Sequence, residues 1–303
     1  MKIRNFNQSL LNLGYKIEDF MVRSLVSYPL QKRRDSYPFL SSDSFYFLSD
    51  FRIEETRDIL ELKRANRNSV IYLNGNKIPE LAPKLTNTLR ESGLSYRRLL
   101  IGDSDHCPEF EFILQIEKYF DQIFTVNLSD EISQKVKLLP LGLESQRYRS
   151  AGQLRDFVRL PDFNLESRDI EILIAWNDKT CPETRTEARQ ILRQNPLSFE
   201  LINRETARYI HQLMRRAKIV PCPRGNGLDT HRFWESLYLG ALPVVLEKDS
   251  LPGLSSWPHW VVSNWEELLN WNKDKIMEIY KLKLPELIKF RHLSKLEFEN
   301  LCR

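Results

Sequence analysis

The run IVPCPRGNGLDTHRFWESLYLGALPVVL, residues 219–246, collects the side chains of this sequence best suited to hold an anion. Ile219 and Val220 lead into Pro221 and Pro223, a glycine pair follows at Gly225 and Gly227, and either Asp229 or Thr230 can cap the next helix. A small-residue loop feeding a helix N-terminus presents free backbone N–H groups at the positive end of the helix dipole, and a phosphate or diphosphate fits there. Arg232 falls in the first turn, where a cation opposes the dipole unless an anionic ligand sits beside it. Glu235, one turn on, can accept hydrogen bonds from sugar hydroxyls. The plainer reading of those two is a surface ion pair worth roughly a few tenths of a kcal/mol.

Two other stretches carry chemistry. Asn177-Asp178-Lys179-Thr180 precedes a predicted helix, with Thr180 and Glu183 at capping-box spacing and Pro182 near the start. Two helix N-termini at the ends of parallel strands can converge on one diphosphate. In the first half, Asp103-Ser104-Asp105-His106 follows an apolar strand, and Asp103, Asp105 and His106 are candidate general bases, Asp105 preferred. The competing reading is an Asp-Ser-Asp turn that caps the next helix beside a structural histidine.

The elements that position these groups alternate. Short strands are expected at 45–48, 70–73, 99–101, 123–126 and 136–139, with helices near 54–64 and 110–119. A second alternation has strands at 170–176, 199–202, 219–220, 242–246 and 260–262 and helices after 180, over 205–218 and after Thr230, the last closed by Gly240. Asn264 and Glu267 fit an N-cap and its partner, and the chain from Trp265 onward reads as helix. Such order argues for two mostly parallel α/β units, whose ligands gather beyond the C-terminal strand ends. Residues 7–27 read as an amphipathic helix followed by Lys32, Arg33 and Arg34. A helix packed on its own domain before a solvated loop is preferred there over a membrane-surface contact, since few cations line its polar face.

The segment PRGNGLDTHRFWESLYLGALPVVL resembles the nucleotide-sugar-binding segment of exostosin-like glycosyltransferases of GT-B architecture, and more distantly that of the GT-B fucosyltransferases. The resemblance implies two Rossmann-like domains facing a cleft, with C-terminal helices crossing back. It implies a glycosyltransferase that moves a sugar from a UDP- or GDP-sugar to a saccharide or lipid-linked glycan acceptor, in polysaccharide or glycan biosynthesis. Donor-site candidates are then Lys179, Arg185, Arg224, Gly225, Asn226, Gly227, Asp229, Thr230, Arg232 and Glu235, with Lys179 and Arg185 carried over from the related families. Asp105 and His106 are the catalytic candidates in the presumed acceptor domain. No metal or cofactor beyond the donor is implied. Two alternatives stand beside this. Asp103-Ser104-Asp105 resembles the metal-binding DxD of GT-A glycosyltransferases, and a catalytically silent nucleotide- or carbohydrate-binding partner protein would use the same loop.

The expected division is 1–142 for the N-terminal acceptor domain, 143–168 for linker and loop, 169–270 for the nucleotide-sugar domain and 271–303 for a helical end. With 303 residues the chain can build two cores, and 42% hydrophobic with 28% charged residues is an ordinary globular balance. A net charge of +4 makes no case for nucleic acid, although 204–232 is locally basic. Four dispersed cysteines give neither metal-ligand spacing nor a disulfide framework. No run approaches the ~18 apolar residues of a membrane span. A cytoplasmic protein, at most peripheral at the membrane, is therefore expected.

Overall fold

The computed structural model describes residues 33–148, 154–202 and 205–302. The predicted helix at 7–27 and Lys32 lie outside them. The first unit runs α1 (Ser42–Leu48), β1 (Phe51–Ile53), α2 (Thr56–Glu61), β2 (Val70–Asn74), α3 (Ile78–Ser92), β3 (Tyr96–Gly102), α4 (Phe110–Ile116), β4 (Phe120–Thr125) and β5 (Val136–Leu138). Its five strands are parallel, in the order β1-β2-β3-β4-β5. Period-2 alternation sends Ile71, Leu73, Leu99, Ile101 and Ile123 to one face, under Leu81, Leu85 and Leu89 of α3 and Ile113 and Ile116 of α4. Val70, Tyr72, Leu100 and Phe124 point the other way, into a core continuous with the second unit.

After the short helix α5 (Arg155–Val158), the second unit runs β6 (Ile170–Ile174), α6 (Pro182–Leu192), β7 (Ser198–Glu200), α7 (Ala207–Arg216), β8 (Ala217–Pro221), α8 (His231–Leu239), β9 (Leu242–Leu246) and β10 (Trp260–Val262). This sheet is also parallel, in the order β10-β9-β8-β6-β7. The order reverses between β6 and β8, which makes a switch-point crevice beyond their C-terminal ends. Helix α9 (Lys273–Cys302) packs Phe290 against Trp234 and Tyr238 of α8, then returns to the first unit. There Phe298 stacks on Phe45 at 5.9 Å and the Asn300 carbonyl accepts from Arg98. Two parallel α/β units facing a cleft, with the terminal helix crossing back, form the GT-B-like architecture. Among the described residues, no helix is long and apolar enough to cross a membrane.

Three local expectations are corrected. Residues 45–48 are not a strand: Ser41 and Ser44 form a reciprocal capping box at 3.1 Å each way, which starts α1, and the edge strand begins at Phe51. The sequence reading placed no helix at α3, yet Ile78, Leu81, Leu85 and Leu89 are buried at helical spacing, and Gly93 closes it at φ 61°. Thr180 does not cap α6. It ends a 3-10 turn, and Cys181 stands at the N-cap, before Pro182, with a thiol that caps no backbone N–H and accepts from the Thr184 hydroxyl at 3.1 Å.

Within the expected linker, Arg168 is fully buried. Its guanidinium donates to the Ala217 carbonyl (2.6 Å) and the Leu239 carbonyl (2.9 Å), and so caps the C-terminal ends of α7 and α8. A β-carbon at Gly240, which sits at φ 79°, would come within 2.3 Å of that guanidinium.

Candidate functional site

The loops leaving β6 and β8 meet the first unit around a cavity of about 330 Å³. Of the sequence candidates, Arg185, Gly225, Asn226, Gly227, Asp229, Thr230, Arg232, Glu235 and Asp105 line it; Lys179, Arg224 and His106 do not. Lys179 is exposed on its 3-10 turn. Arg224 curls over its own loop toward the Gly225 and Asn226 carbonyls, at 3.5 and 3.4 Å. His106 is exposed, its backbone N–H turned back to Ser104 Oγ.

The N-terminus of α8 faces this cavity. Thr230 is its N-cap, but its hydroxyl does not cap: Oγ1 is buried with no hydrogen-bond partner among the described residues. Buried hydroxyls are seldom left so, and this one lines the cavity. Arg185 supplies positive charge from α6. Its Nε donates to the Arg224 carbonyl and its Nη1 to the Asn177 carbonyl, each at 3.1 Å, so no carboxylate neutralises it through a hydrogen bond. Its pKa is lowered first by burial and then by Arg232. Two guanidiniums thus face one cavity and repel each other there. Gly225 permits the approach, since a β-carbon would come within 2.9 Å of Arg185 Nη2.

Arg232 and Glu235 do form a pair, at 3.1 Å, but not on the surface: their side chains are 19% and 7% exposed. Behind them His211 Nε2 lies 3.5 Å from Glu235 Oε1, and its Nδ1 lies 3.1 Å from Asp156 Oδ2. Burial alone would raise the Glu235 carboxyl; Arg232 and His211 outweigh it and hold it at about 2. Burial disfavours charge on His211, yet Asp156 and Glu235 raise its pKa.

The loop 225–231 is stitched to the first unit. Asn226 Nδ2 donates to Asp105 Oδ2 (2.8 Å), the Asp229 N–H donates to Asn127 Oδ1 (2.8 Å), and the Leu141 N–H donates to Asp229 Oδ2 (2.9 Å). Trp234 Nε1 donates to the other oxygen of Asp229 at 2.8 Å. Asp229 therefore spends both oxygens on the framework. Burial outweighs these bonds and pushes its carboxyl up to about 6. At Gly227 a β-carbon would lie 2.4 Å from the Asp105 carbonyl oxygen, so only glycine allows the contact.

A second cavity, about 360 Å³, opens on the side of the first unit between Ser42, Asn76, Asp103 and Tyr148. Asp105, Leu141, Glu144 and His231 line both cavities. Two of these were missed from sequence as chemical groups. Glu144 belongs to the PLGLE crossing; its Oε1 accepts from the Ser145 N–H (2.8 Å) and its Oε2 lies 3.2 Å from His231 Nε2. His231 Nδ1 lies 2.8 Å from the Gly142 carbonyl and donates to it, which leaves Nε2 for Glu144. Burial disfavours charge on His231, but Glu144 and the Gly142 carbonyl raise its pKa. The only available sequence signal was the position of His231 next to the predicted cap.

Asp103 lies at φ 54°, and its Oδ2 is held by Arg33 and by Arg147, the latter at 2.8 Å. Arg33 also pairs with Asp43 and Glu54 at 2.9 Å each, so this member of the basic run is buried structure and not part of a solvated loop. A carboxylate between two guanidiniums suits a metal poorly, and Asp105 is engaged elsewhere by Asn226. The Asp103-Ser104-Asp105 set does not fit a DxD metal site.

No protein-family model matches the chain, and no curated protein sequence matches it. Among solved structures it is similar to one described as OtsA apo structure, at 11% identity over 82% of this chain and 75% of that chain, with a TM-score of 0.45. A second is described as trehalose-6-phosphate from E. coli bound with UDP-2-fluoro glucose, at 10% identity over 82% and 76%, with a TM-score of 0.42. A third is an alpha,alpha-trehalose-phosphate synthase (UDP-forming) from Burkholderia vietnamiensis, at 10% identity over 82% and 75%, with a TM-score of 0.38.

Proposed function

We propose that the chain is an exostosin-like glycosyltransferase that moves a sugar from a UDP- or GDP-sugar to a saccharide or lipid-linked glycan acceptor, in polysaccharide or glycan biosynthesis. The observation that carries this reading is the convergence of Arg185, Arg232 and the unpartnered Thr230 hydroxyl on one cavity at the N-terminus of α8. That set is short of one anion. A diphosphate supplies it, bound by two guanidiniums, a hydroxyl and free helix amides.

Breaking the bond between sugar and phosphate puts negative charge on the departing diphosphate and cationic character on the anomeric carbon. Preorganised arginines and helix N–H groups lower that barrier. Glu235, held ionised, accepts from the ribose hydroxyls. The acceptor occupies the second cavity. As its oxygen bonds to the anomeric carbon and the phosphate oxygen leaves, its proton passes to Glu144 at the junction of the two cavities. Asp105, the base that sequence preferred, stands at the same junction with only its Oδ2 tied to Asn226 and shares this role with Glu144, whereas His106 lies outside both cavities.

Titration calorimetry with UDP and GDP tests the donor site. One of the two nucleotides is expected to bind, and Arg185→Ala or Arg232→Ala to weaken it by about tenfold or more, the worth of a charge-assisted hydrogen bond. No binding of either nucleotide, or unchanged affinity in both variants, would overturn the assignment. Assaying transfer over a panel of nucleotide sugars with mixed glycan acceptors then separates an enzyme from a silent binding partner, which binds without turnover.

A further inference from the structure

Four charged side chains stand in line from the cavity at the N-terminus of α8 into the protein, and the first two of them line the cavity. Arg232 Nη1 lies 3.1 Å from Glu235 Oε2, Glu235 Oε1 lies 3.5 Å from His211 Nε2, and His211 Nδ1 lies 3.1 Å from Asp156 Oδ2. The line crosses α8, α7 and α5 in turn. The His211 side chain is 3% exposed, and its ring packs on Phe157 at 4.6 Å. A carboxylate accepts and cannot donate, and a neutral imidazole has a single N–H. Neutral His211 would therefore set a bare ring nitrogen against one of its two carboxylates, whereas the imidazolium turns an N–H to each. Asp156 and Glu235 accordingly raise its pKa against burial. Further charges near it are Arg208 of α7, 3.9 Å from Asp156 Oδ1, Arg215 of α7, which donates to the Asp156 carbonyl, and His231 of α8, which helps keep Glu235 ionised.

Without a ligand the line is balanced, two cations against two anions. A diphosphate in the cavity draws on Arg232, the cation it would share with Glu235. With His211 charged, Glu235 keeps a cation of its own in a buried site. With His211 neutral, Glu235 competes with the ligand for Arg232, since a buried carboxylate left without a cation is costly. We propose that His211, braced by Asp156, is a positioning residue of the donor site, whose imidazolium holds Glu235 so that Arg232 turns its charge to the diphosphate. The inference rests on the reading of that cavity as a nucleotide site. Its sign is fixed: nucleotide affinity is full while His211 is protonated and falls as pH rises through its folded pKa. The nucleotide's own terminal phosphate acts in the opposite sense, gaining charge near pH ~6.

The test is titration calorimetry of the full chain with UDP and GDP from about pH 7 to about pH 9, where a one-unit shift in a coupled pKa is worth about tenfold in affinity. Wild-type affinity is expected to fall about tenfold over this range. His211→Gln keeps an N–H for Glu235 without the charge, so it should bind about tenfold more weakly at the lower pH and show little further fall. Asp156→Asn should match the wild type at the lower pH and lose affinity at a lower pH than the wild type does. His231 is present in every variant, so the differences belong to His211. Wild-type affinity of His211→Gln at every pH overturns the proposal, as does an equal loss at every pH, which is what a merely structural role gives. Where circular dichroism shows His211→Gln unfolded, Asp156→Asn decides, and an unmoved pH midpoint overturns the proposal. A wild type that binds neither nucleotide overturns the donor site itself and this inference with it.

Discussion

Glu235 shows how burial changes what a residue can tell in a mutation experiment. From its spacing to Arg232 it reads as a ligand contact or a surface pair, and on either reading Glu235→Ala leaves the fold intact. In the structure it is a buried anion between Arg232 and His211, so removing it strands two cationic groups. Breaking a buried pair in this way costs about 3–5 kcal/mol. Glu235→Ala should therefore lower the melting temperature clearly, while Glu235→Gln keeps the side-chain shape and one accepting oxygen for Arg232 and removes the charge. The sign of the pH effect follows from His211, whose pKa is raised against burial by Asp156 and Glu235. A raised folded pKa contributes stability that is fully present below the unfolded value near 6.5 and lost as pH rises through the folded value. The stability gap between wild type and Glu235→Gln, measured by urea unfolding, should be wider at pH 6 than at pH 9. A gap independent of pH would show that His211 is not charged in the folded protein.

At the scale of elements, helix α8 and its loop were legible because the signals are local: a small-residue loop, a cap position, an apolar face and Gly240 in the left-handed region at φ 79°. Helix α1 was misread because Phe45, Tyr46, Phe47 and Leu48 look like strand formers, and the serines that decide otherwise act as a reciprocal cap. Helix α3 contains Pro83, which removes an intrahelical hydrogen bond and weakens the local helix signal, although four buried aliphatic residues keep its spacing and Pro79 sits in the first turn, where proline is tolerated. Sequence alone could not separate the two loop glycines, which differ in what they touch. At Gly225 a β-carbon meets the flexible end of Arg185, whereas at Gly227 it meets the backbone oxygen of Asp105 at 2.4 Å. Gly225→Ala should weaken nucleotide binding with little change in melting temperature. Gly227→Ala should push the loop off the first unit and lose about 1–3 kcal/mol, the usual scale for overpacking. Similar melting of the two variants would contradict this distinction.

Over the whole molecule, the two α/β halves were readable from strand and helix alternation, but the seam between them was not. It is made by pairs far apart in sequence, such as Asn226 with Asp105, Asp229 with Leu141 and His231 with Glu144. Two residues that reach the proposed site, Glu144 and His231, were missed for that reason. The seam has a second fastening at the back. One face of the first sheet, through Val70, Tyr72, Leu100 and Phe124, shares a core with the second unit and with Phe298 of α9. Phe298 is 1% exposed and lies against Phe45. A molecule with one core spanning both sheets should unfold in a single calorimetric transition despite its two α/β units. Phe298→Ala opens a cavity at that junction, costs about 3–5 kcal/mol by the usual scale for a buried aromatic, and loosens the hold of α9 on the first unit. The first unit should then melt ahead of the second, giving two transitions where the wild type gives one. A single transition shifted only in temperature would mean that the cleft-side hydrogen bonds are enough to couple the halves.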